Sequence, residues 1–402
     1  MKKTNACIKL IAAILVIALT AVLFTGCNQS DEVLMSFEKD GKTYTITESE
    51  FRLFLTVRKR LIFQNLLKTT SGDTATFWTG DSSEEGKSNE QYYMDLTLEQ
   101  VKSALVEKYL FESLGLSLTK DHKTDIKTAE LSIGGKGAYK QYYGYKATDY
   151  YNIYEPMVER SDLLLEALTK ENAMLDATAE DIDNYYKEHF VGYQYIVIDL
   201  VNKVVRDEEG NRVVAKEKDA AGNEVDGDTY KTEKLTDEEK TEKQNLAKSI
   251  LDELAKEDGK SFEELIKEFS DEYYSVEYSE GWFIDKEGTL VNSTVTSKIK
   301  DLEIGEHTAE AIESGNYRYI VKRVDLKDKV YEQNDENKYA ELFKGFDKTV
   351  EYDKYEQYVK SFYGEIKSED AIIATYSLQK TFLSPYVDQY YQDILYYYYG
   401  IS

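Results

Sequence analysis

The sequence has little of four residue classes that commonly carry chemistry or limit structure. Its 402 residues include 2 cysteines, 3 histidines and 2 prolines, and 50 basic residues stand against 76 acidic ones. No cysteine–histidine cluster has metal-ligand spacing, which argues against a zinc site. The formal net charge of −26 leaves no basic patch for phosphates, which argues against a nucleic-acid partner. The scarcity of proline argues against Pro-rich linkers and favours long regular elements.

Gly-rich phosphate loops are also missing, and no cofactor is predicted. Two acidic stretches, 207–210 and 226–228, could hold a loose Ca²⁺, but neither fits the spacing of an EF-hand loop. Solvated charge is the favoured interpretation of both, and isolated surface residues are favoured for His122, His189 and His307, so no metal site is predicted.

The sequence does have the composition of a globular protein. Hydrophobic residues make up 42% and charged residues 31%, and the length suffices for two or three domains with sizeable cores. Tyrosine is abundant, at 35 residues.

The N-terminus has the pattern of a targeting segment. A basic start is followed by an uninterrupted apolar or small-residue run over 10–24, which is short for a membrane-spanning helix. The stretch 23–27, Leu-Phe-Thr-Gly-Cys, resembles a bacterial lipobox, although Phe24 departs from the usual Leu or Val. We therefore predict a lipoprotein signal peptide over 1–27 and lipid attachment at Cys27. This places the protein on the extracytoplasmic face of the cell membrane; the alternative is an uncleaved anchor or a plain secretory peptide.

Two runs predict the main strands of the chain. Residues 193–200 and 316–324 are rich in β-branched and aromatic residues and are bounded by glycine or polar segments. The region between them predicts two helices, a Gly-Trp-Phe turn and one more helix. A small α/β unit results, in which the two strands can lie side by side.

This order of elements resembles the parvulin domain of extracytoplasmic foldases. Those domains carry a strand of the type His-Ile-Leu-Ile, then Phe-Ser-Asp, a Gly-x-Phe turn, Leu-x-x-Gly-Glu, and a closing strand of the type His-Ile-Ile-Lys-Arg. The corresponding segments here are 195–198, 269–271, 281–283, 302–306 and 319–323. The helical region before them is also similar to that family, in which a strand like 40–47 precedes Glu-x-Glu-Phe, here 48–51.

The resemblance implies an α+β fold: a mainly helical chaperone domain built from N- and C-terminal segments, with an inserted parvulin-like small α/β domain. The expected boundaries are 28–189 for the N-terminal helical region, 190–328 for the inserted domain with a charged insertion over 201–235, and 329–402 for the returning C-terminal region. The implied function is that of a membrane-anchored foldase or chaperone. Its partners would be unfolded or partly folded secreted proteins. Whether the protein forms a homodimer is left open.

The resemblance also implies a peptidyl-prolyl isomerase groove. The two histidines of the family fall on Tyr195 and Tyr319, and its acidic position falls on Asp271 or Glu272. The methionine position falls on Leu290 and the phenylalanine position falls near Thr294. Either the two tyrosines keep a hydrogen-bonded pair across the strands, or the site is vestigial and they are ordinary cross-strand aromatics. We favour the second, so isomerase activity is expected to be weak or lost.

Clusters of tyrosine suggest where unfolded segments bind. Tyrosine offers a large contact area and a polar tip with little rotamer entropy to lose. The candidate client-binding residues are Tyr142, Tyr143, Tyr150, Tyr151 and Tyr154. Half-buried helix surface is an equally weighted interpretation of each. A second class of function also stays open, a non-catalytic envelope scaffold or binding lipoprotein that retained the foldase fold. A scaffold should have one tight partner, whereas a foldase should bind many clients weakly.

Local signals predict several further elements. Capping boxes begin helices at Thr47, Thr178, Thr236 and Ser261. Residues 69–89 are expected to be a loop, and 201–234 an inserted hairpin or mobile flap. Helical patterns are expected over 337–366 and in the tail, 386–401.

Overall fold

The structure is a computed structural model that describes residues 31–67, 70–120, 122–218, 222–286, 293–334 and 336–384. Cys27, Leu290 and the predicted tail helix lie outside these residues. The fold is α+β with small sheets. Among the helices described, none has both the length and the apolar character needed to cross a membrane.

The described chain contains both helices and strands. The α-helices are α1 Glu48–Leu61, α2 Ala75–Thr79, α3 Asn89–Ser113, α4 His122–Ser132, α5 Lys136–Tyr143, α6 Ala147–Asp149, α7 Glu155–Thr169, α8 Ala179–His189, α9 Asp237–Leu254, α10 Phe262–Phe269, α11 Tyr273–Glu277, α12 Ser293–Asp301, α13 Phe346–Lys360 and α14 Asp370–Ile373. The strands are β1 Val33–Lys39, β2 Lys42–Thr47, β3 Phe190–Asp199, β4 Asn202–Val204, β5 Val214–Lys218, β6 Glu224–Tyr230, β7 Thr232–Lys234, β8 Trp282–Asp285, β9 Ile312–Ser314, β10 Tyr317–Val324 and β11 Ile366–Ser368. Two π-helical segments, Ile62–Leu67 and Tyr150–Tyr154, adjoin α1 and α7.

The chain forms two compact units. The first, here called the terminal unit, contains the described residues up to Asp176 and the described residues from Glu351; the second, the inserted unit, is Ala177–Val350. These divisions differ from the boundaries expected at 189/190 and 328/329. The reason is an aromatic cluster in the inserted unit, where Tyr186 of α8 and Phe346 of α13 pack with Phe283 of β8.

The predicted helix starts are confirmed by their caps. At Thr47, Thr178, Thr236 and Ser261 the side-chain oxygen accepts from the third helical backbone N–H, and the acidic side chain there accepts from the cap backbone. Two of the orphan N–H groups of each helix are thereby satisfied. These signals are local, which is why the sequence alone located them.

The terminal unit packs its helices on a three-stranded sheet of order β11-β1-β2. The strands β1 and β2 form a hairpin, and β11 pairs with β1 between Met35 and Phe37. Strand β11 was not predicted, and its first residue, Ile366, was expected to end a helical pattern. The prediction of a loop over 69–89 was also incomplete. This segment contains α2, and Trp78 within it is fully buried because it packs against Phe63 and Phe77.

The inserted unit is built on an antiparallel sheet of order β8-β3-β10-β9. One face carries Ile196, Ile198 and Ile320 against α9 and α10. The opposite face carries Val191, Tyr193, Tyr195 and Val321 against α12, and it is called the tyrosine face below. The charged insertion forms the two-stranded ladders β4–β7 and β5–β6, as the hairpin prediction requires.

Candidate functional site

Tyr195 and Tyr319 lie on one face of the sheet. The strands β3 and β10 are antiparallel neighbours, and their register places Tyr195 opposite Val321 and Tyr319 opposite Val197. Residues directly opposite share a face, so the two tyrosines are diagonal neighbours on the tyrosine face. This confirms the predicted pairing of the two strands.

The Tyr195 hydroxyl forms a hydrogen bond with a carboxylate. It donates to Glu272 Oε2 at 2.8 Å, and the same oxygen accepts from the Ser275 backbone N–H at 2.6 Å. The Ser275 hydroxyl in turn donates to the Tyr195 carbonyl at 2.5 Å. Burial, and then the charge of Glu272, raise the pKa of Tyr195 far above its ordinary value. Tyr195 is therefore a neutral donor.

Tyr319 has a different environment. It is half-buried, its ring lies 6.4 Å from that of Tyr317, and burial raises its pKa. Within the described residues its hydroxyl forms no hydrogen bond, and the Tyr195 hydroxyl is directed to Glu272 instead of to Tyr319. The two tyrosines thus do not form the hydrogen-bonded pair that one alternative predicted.

Asp271 supports the sheet edge next to this site. Its backbone N–H donates to the Val197 carbonyl at 2.8 Å, and its Oδ2 accepts from the Asp199 N–H at 2.9 Å. The Ser270 hydroxyl accepts from the Val197 N–H at 3.0 Å. Burial raises the pKa of Asp271, and an ion pair with Lys243 opposes that shift. Of the two acidic candidates, Glu272 contacts Tyr195. Asp271 instead binds the later part of β3, beyond the residues that pair with β8.

Thr294, the position expected to form the aromatic wall, is exposed on α12. The side chain that α12 does bury against the tyrosine face is its neighbour Val295, which is 1% exposed, together with Ile299 one turn later. Their i, i+4 spacing is a signal that could have identified them from the sequence.

Sequence reasoning missed an aromatic group beside the tyrosine face. Trp282 of β8 lies opposite Tyr193, and its ring is 4.7 Å from that of Tyr278. Tyr278 lies 4.9 Å from Tyr339, whose hydroxyl donates to the Gly281 carbonyl at 2.7 Å. Gly281 has φ +148, a conformation that favours glycine, so the Gly-Trp-Phe turn was the signal for this group.

The five candidate client-binding tyrosines of the terminal unit are all half-buried. Tyr150 stacks between Tyr145 and Tyr154, with ring centroids 5.3 Å apart in both pairs. Tyr142 lies 4.9 Å from Tyr143, and Tyr151 lies 5.3 Å from Tyr150. The guanidinium of Arg60 lies 4.3 Å from the Tyr143 ring centroid and donates to the Tyr145 hydroxyl at 2.8 Å. The structure brings the set together as one packed ladder with partly exposed edges.

The terminal unit also contains a polar cavity of about 430 Å³ beside a buried carboxylate. Glu107 is 4% exposed and accepts a hydrogen bond of 2.8 Å from the Tyr355 hydroxyl. Burial raises the pKa of Glu107, and this hydrogen bond opposes the shift. Glu107 was not identified from the sequence, because acidic residues are too common here for one to be distinctive.

Comparisons with known proteins find solved structures of foldases and related chaperones. No family model matches the sequence, and no curated protein matches it. The chain is similar to PrsA from Bacillus subtilis, with 15% identity, 75% of this chain and 85% of that chain covered, and a TM-score of 0.22. It is similar to the peptidylprolyl isomerase PrsA from Bacillus cereus, with 16% identity, coverage of 79% and 99%, and a TM-score of 0.23.

A third match is to SurA-like chaperones of Campylobacter jejuni, described as PEB4 and Cj1289, with 14% identity, coverage of 84% and 96%, and a TM-score of 0.20. The matching structures are thus PrsA foldases and SurA-like chaperones, as the resemblance predicted. Because their TM-scores are low, these matches carry no inference about the function of this chain.

Proposed function

We propose that this protein is a membrane-anchored extracytoplasmic foldase or chaperone that assists the folding of secreted proteins, with a parvulin-like inserted domain of weak or lost isomerase activity. The observation that carries the proposal is that all five motif segments meet at one sheet. Segments 195–198 and 319–323 lie on the adjacent strands β3 and β10. Segment 281–283 leads into β8, which pairs with β3 on the side away from β10. Segment 269–271 binds the free edge of β3. Gly305 and Glu306 exchange backbone hydrogen bonds of 2.8 Å with Arg323.

The chemistry of the tyrosine face supports the loss of isomerase activity. Rotation about an X–Pro bond has a barrier of about 20 kcal/mol, and a catalyst must hold the proline ring while it favours the twisted amide. Both histidine positions are phenols, and the hydroxyl of Tyr195 is engaged by Glu272. A phenol titrates near pH 10 and is neutral here, so it cannot reproduce the proton behaviour of imidazole. Thr294 on α12 also supplies no aromatic wall.

The tyrosine ladder of the terminal unit supports a chaperone role. Its rings are half-buried, so each exposes part of its surface while the rest packs against neighbouring rings. Contacts of this kind cost little side-chain entropy and accept many sequences.

Two assays test the proposal. The full chain should suppress aggregation of a chemically unfolded client at several-fold molar excess, and it should isomerise a proline peptide at close to the uncatalysed rate. A chain in which 177–350 is replaced by a short Gly/Ser linker should keep the first property, provided that circular dichroism shows it to be folded.

Two outcomes would contradict the proposal. Failure of the folded full chain to protect any client, combined with one tight partner in pull-down experiments, would favour the scaffold alternative. Robust proline-dependent turnover that Leu290→Asp abolishes would make the protein an isomerase.

A further inference from the structure

The inserted unit contains a cavity that belongs to none of the motifs discussed so far. Its volume is about 760 Å³, within the range of about 300–1,000 Å³ usual for ligand pockets. It lies between the start of α8, the segment after β10 and the start of α13. Its floor is apolar and is formed by Ile182, Tyr331, Phe343 and Phe346. Phe343 and Phe346 are buried, so the floor belongs to the core of the unit.

The rim of this cavity is acidic. Five carboxylates line it: Glu180, Asp183, Asp328, Glu332 and Asp347. Two ammonium groups accompany them, so the formal charge is 2 − 5 = −3. Both ammonium groups are already engaged, Lys187 with Asp183 at 2.6 Å and Lys329 with Glu332 at 3.1 Å. Asp347 lies 3.9 Å from the ammonium of Lys348, outside the lining, so within the described residues Glu180 and Asp328 are the rim carboxylates without an ion pair.

A buried polar group without a partner adjoins the floor. Tyr186 is 2% exposed, and its hydroxyl has no hydrogen-bond partner among the described residues. Its ring lies 5.4 Å from Tyr331 and 5.7 Å from Phe343, both of which line the cavity. Burial raises the pKa of Tyr186, and the next contributions come from Tyr331 and Asp328, which also line it. Tyr186 does not itself line the cavity, so its hydroxyl lies behind the aromatic floor.

We propose that this cavity binds a cationic segment of an unfolded polypeptide, with an aromatic or large aliphatic side chain on the floor and lysine or arginine at the rim. This rests on the proposed chaperone function and adds a client class and a second client site to it. The apolar floor does not suit a small ion, and the negative rim repels acidic segments. Because the rim charges are solvated, they select among segments more than they add affinity.

The test uses the full chain in nanodiscs of zwitterionic lipid, with empty nanodiscs as the blank. The probe is a fluorescein-labelled 12-residue unstructured peptide with two phenylalanines, each flanked by lysines. Two comparison peptides replace the lysines by glutamate or the phenylalanines by serine. Fluorescence anisotropy at low and high salt should show binding of the first peptide only, weakened by salt.

Matched variants locate the site. Glu180→Gln, Asp328→Asn and Asp347→Asn combined should weaken binding about ten-fold. The control combines Glu208→Gln, Glu257→Gln and Asp258→Asn. These three residues are exposed acids of the same unit outside the cavity, so the net charge changes equally and binding should be unchanged.

Tyr186→Phe changes a residue behind the floor and leaves the lining of the cavity intact. The change removes only the hydroxyl that has no partner in the described residues, so the unit should unfold at the same or a higher denaturant concentration. Because Tyr186 does not line the cavity, binding of the lysine–phenylalanine peptide should be unchanged. A photo-crosslinker at Gln333, which lines the cavity, should label the bound peptide.

Distinct results overturn the inference and the proposed function. Equal affinity for the lysine and glutamate peptides, or equal loss in both triple variants, refutes the cavity as a cationic-segment site even if the chain suppresses aggregation. Failure to suppress aggregation while the lysine–phenylalanine peptide still binds in a rim-dependent way refutes the chaperone function and leaves the site standing.

Discussion

Replacing Tyr195 by phenylalanine tests the central contact of the tyrosine face. The change deletes the hydroxyl that donates to Glu272 at 2.8 Å and leaves the ring, which packs 5.3 Å from Tyr193. Glu272 would keep the Ser275 N–H as a donor but lose the phenol. A hydrogen bond to a charged group contributes about 1.5–3 kcal/mol. Because both side chains are half-buried, we expect a loss at the lower end, about 1.5–2 kcal/mol.

Tyr319→Phe is the matched control. Tyr319 is also a half-buried tyrosine of the same face, and its hydroxyl has no hydrogen bond within the described residues. Its hydroxyl should therefore contribute less than about 0.5 kcal/mol. A double-mutant cycle of Tyr195→Phe with Glu272→Gln should give a coupling energy of about 1 kcal/mol, since the two residues are in direct contact.

Native-state hydrogen exchange measures these changes within the inserted unit and avoids a two-state assumption for the whole chain. Amides of β3 and β10 should exchange roughly ten to thirty times faster in Tyr195→Phe, as about 1.5–2 kcal/mol requires. In Tyr319→Phe their rates should change less than about three-fold. Equal acceleration in the two variants would show that the Glu272 contact does not stabilise the sheet.

Three further predictions concern other parts of the chain. Cys27→Ala should release the protein from membranes and remove a lipid mass, and an unlipidated wild type would refute this. Burial raises the pKa of Glu107 above its ordinary value of 4.5. Its favourable contribution to the free energy of unfolding is therefore complete below pH 4.5 and is lost as the pH rises through the pKa of the folded state. Glu107→Gln should therefore match wild type in acid and be about 1 kcal/mol more stable at pH 7 by urea unfolding, whereas equal stability at both pH values would contradict this. Gly192→Ala would place a methyl 2.5 Å from a backbone carbonyl oxygen and should cost about 2 kcal/mol or more, whereas Gly137→Ala, with open space around it, should not destabilise.

Elements with local signals were predictable. Capping boxes fixed the starts of four helices because a cap needs only residues three positions apart. The strands β3 and β10 were predicted from β-branched runs, and their pairing followed because both are apolar on two faces. In contrast, β11 has three residues and exists through its pairing with β1, so no local pattern distinguishes it from the end of a helix.

The candidate site was predictable in position but not in contacts. Motif order placed Tyr195, Tyr319 and the acidic pair around one sheet. It could not choose between Asp271 and Glu272, since both follow the same helix. The structure separates them because the backbone of Asp271 binds β3, which turns the next side chain toward the Tyr195 hydroxyl.

The sequence by itself determined the chemistry available at the tyrosine face: two phenols stand where the resembled family has imidazoles, and no fold can restore their proton behaviour. It also determined the excess of negative charge. Only the tertiary structure decided where that charge is concentrated. Glu180 is far from Asp328 and Asp347 in the chain, and the three share one rim because the aromatic cluster around Tyr186 packs α8, the segment after β10 and the start of α13 together. Burial of aromatic surface depends on the whole unit, so no local pattern could have placed those three carboxylates over one apolar floor.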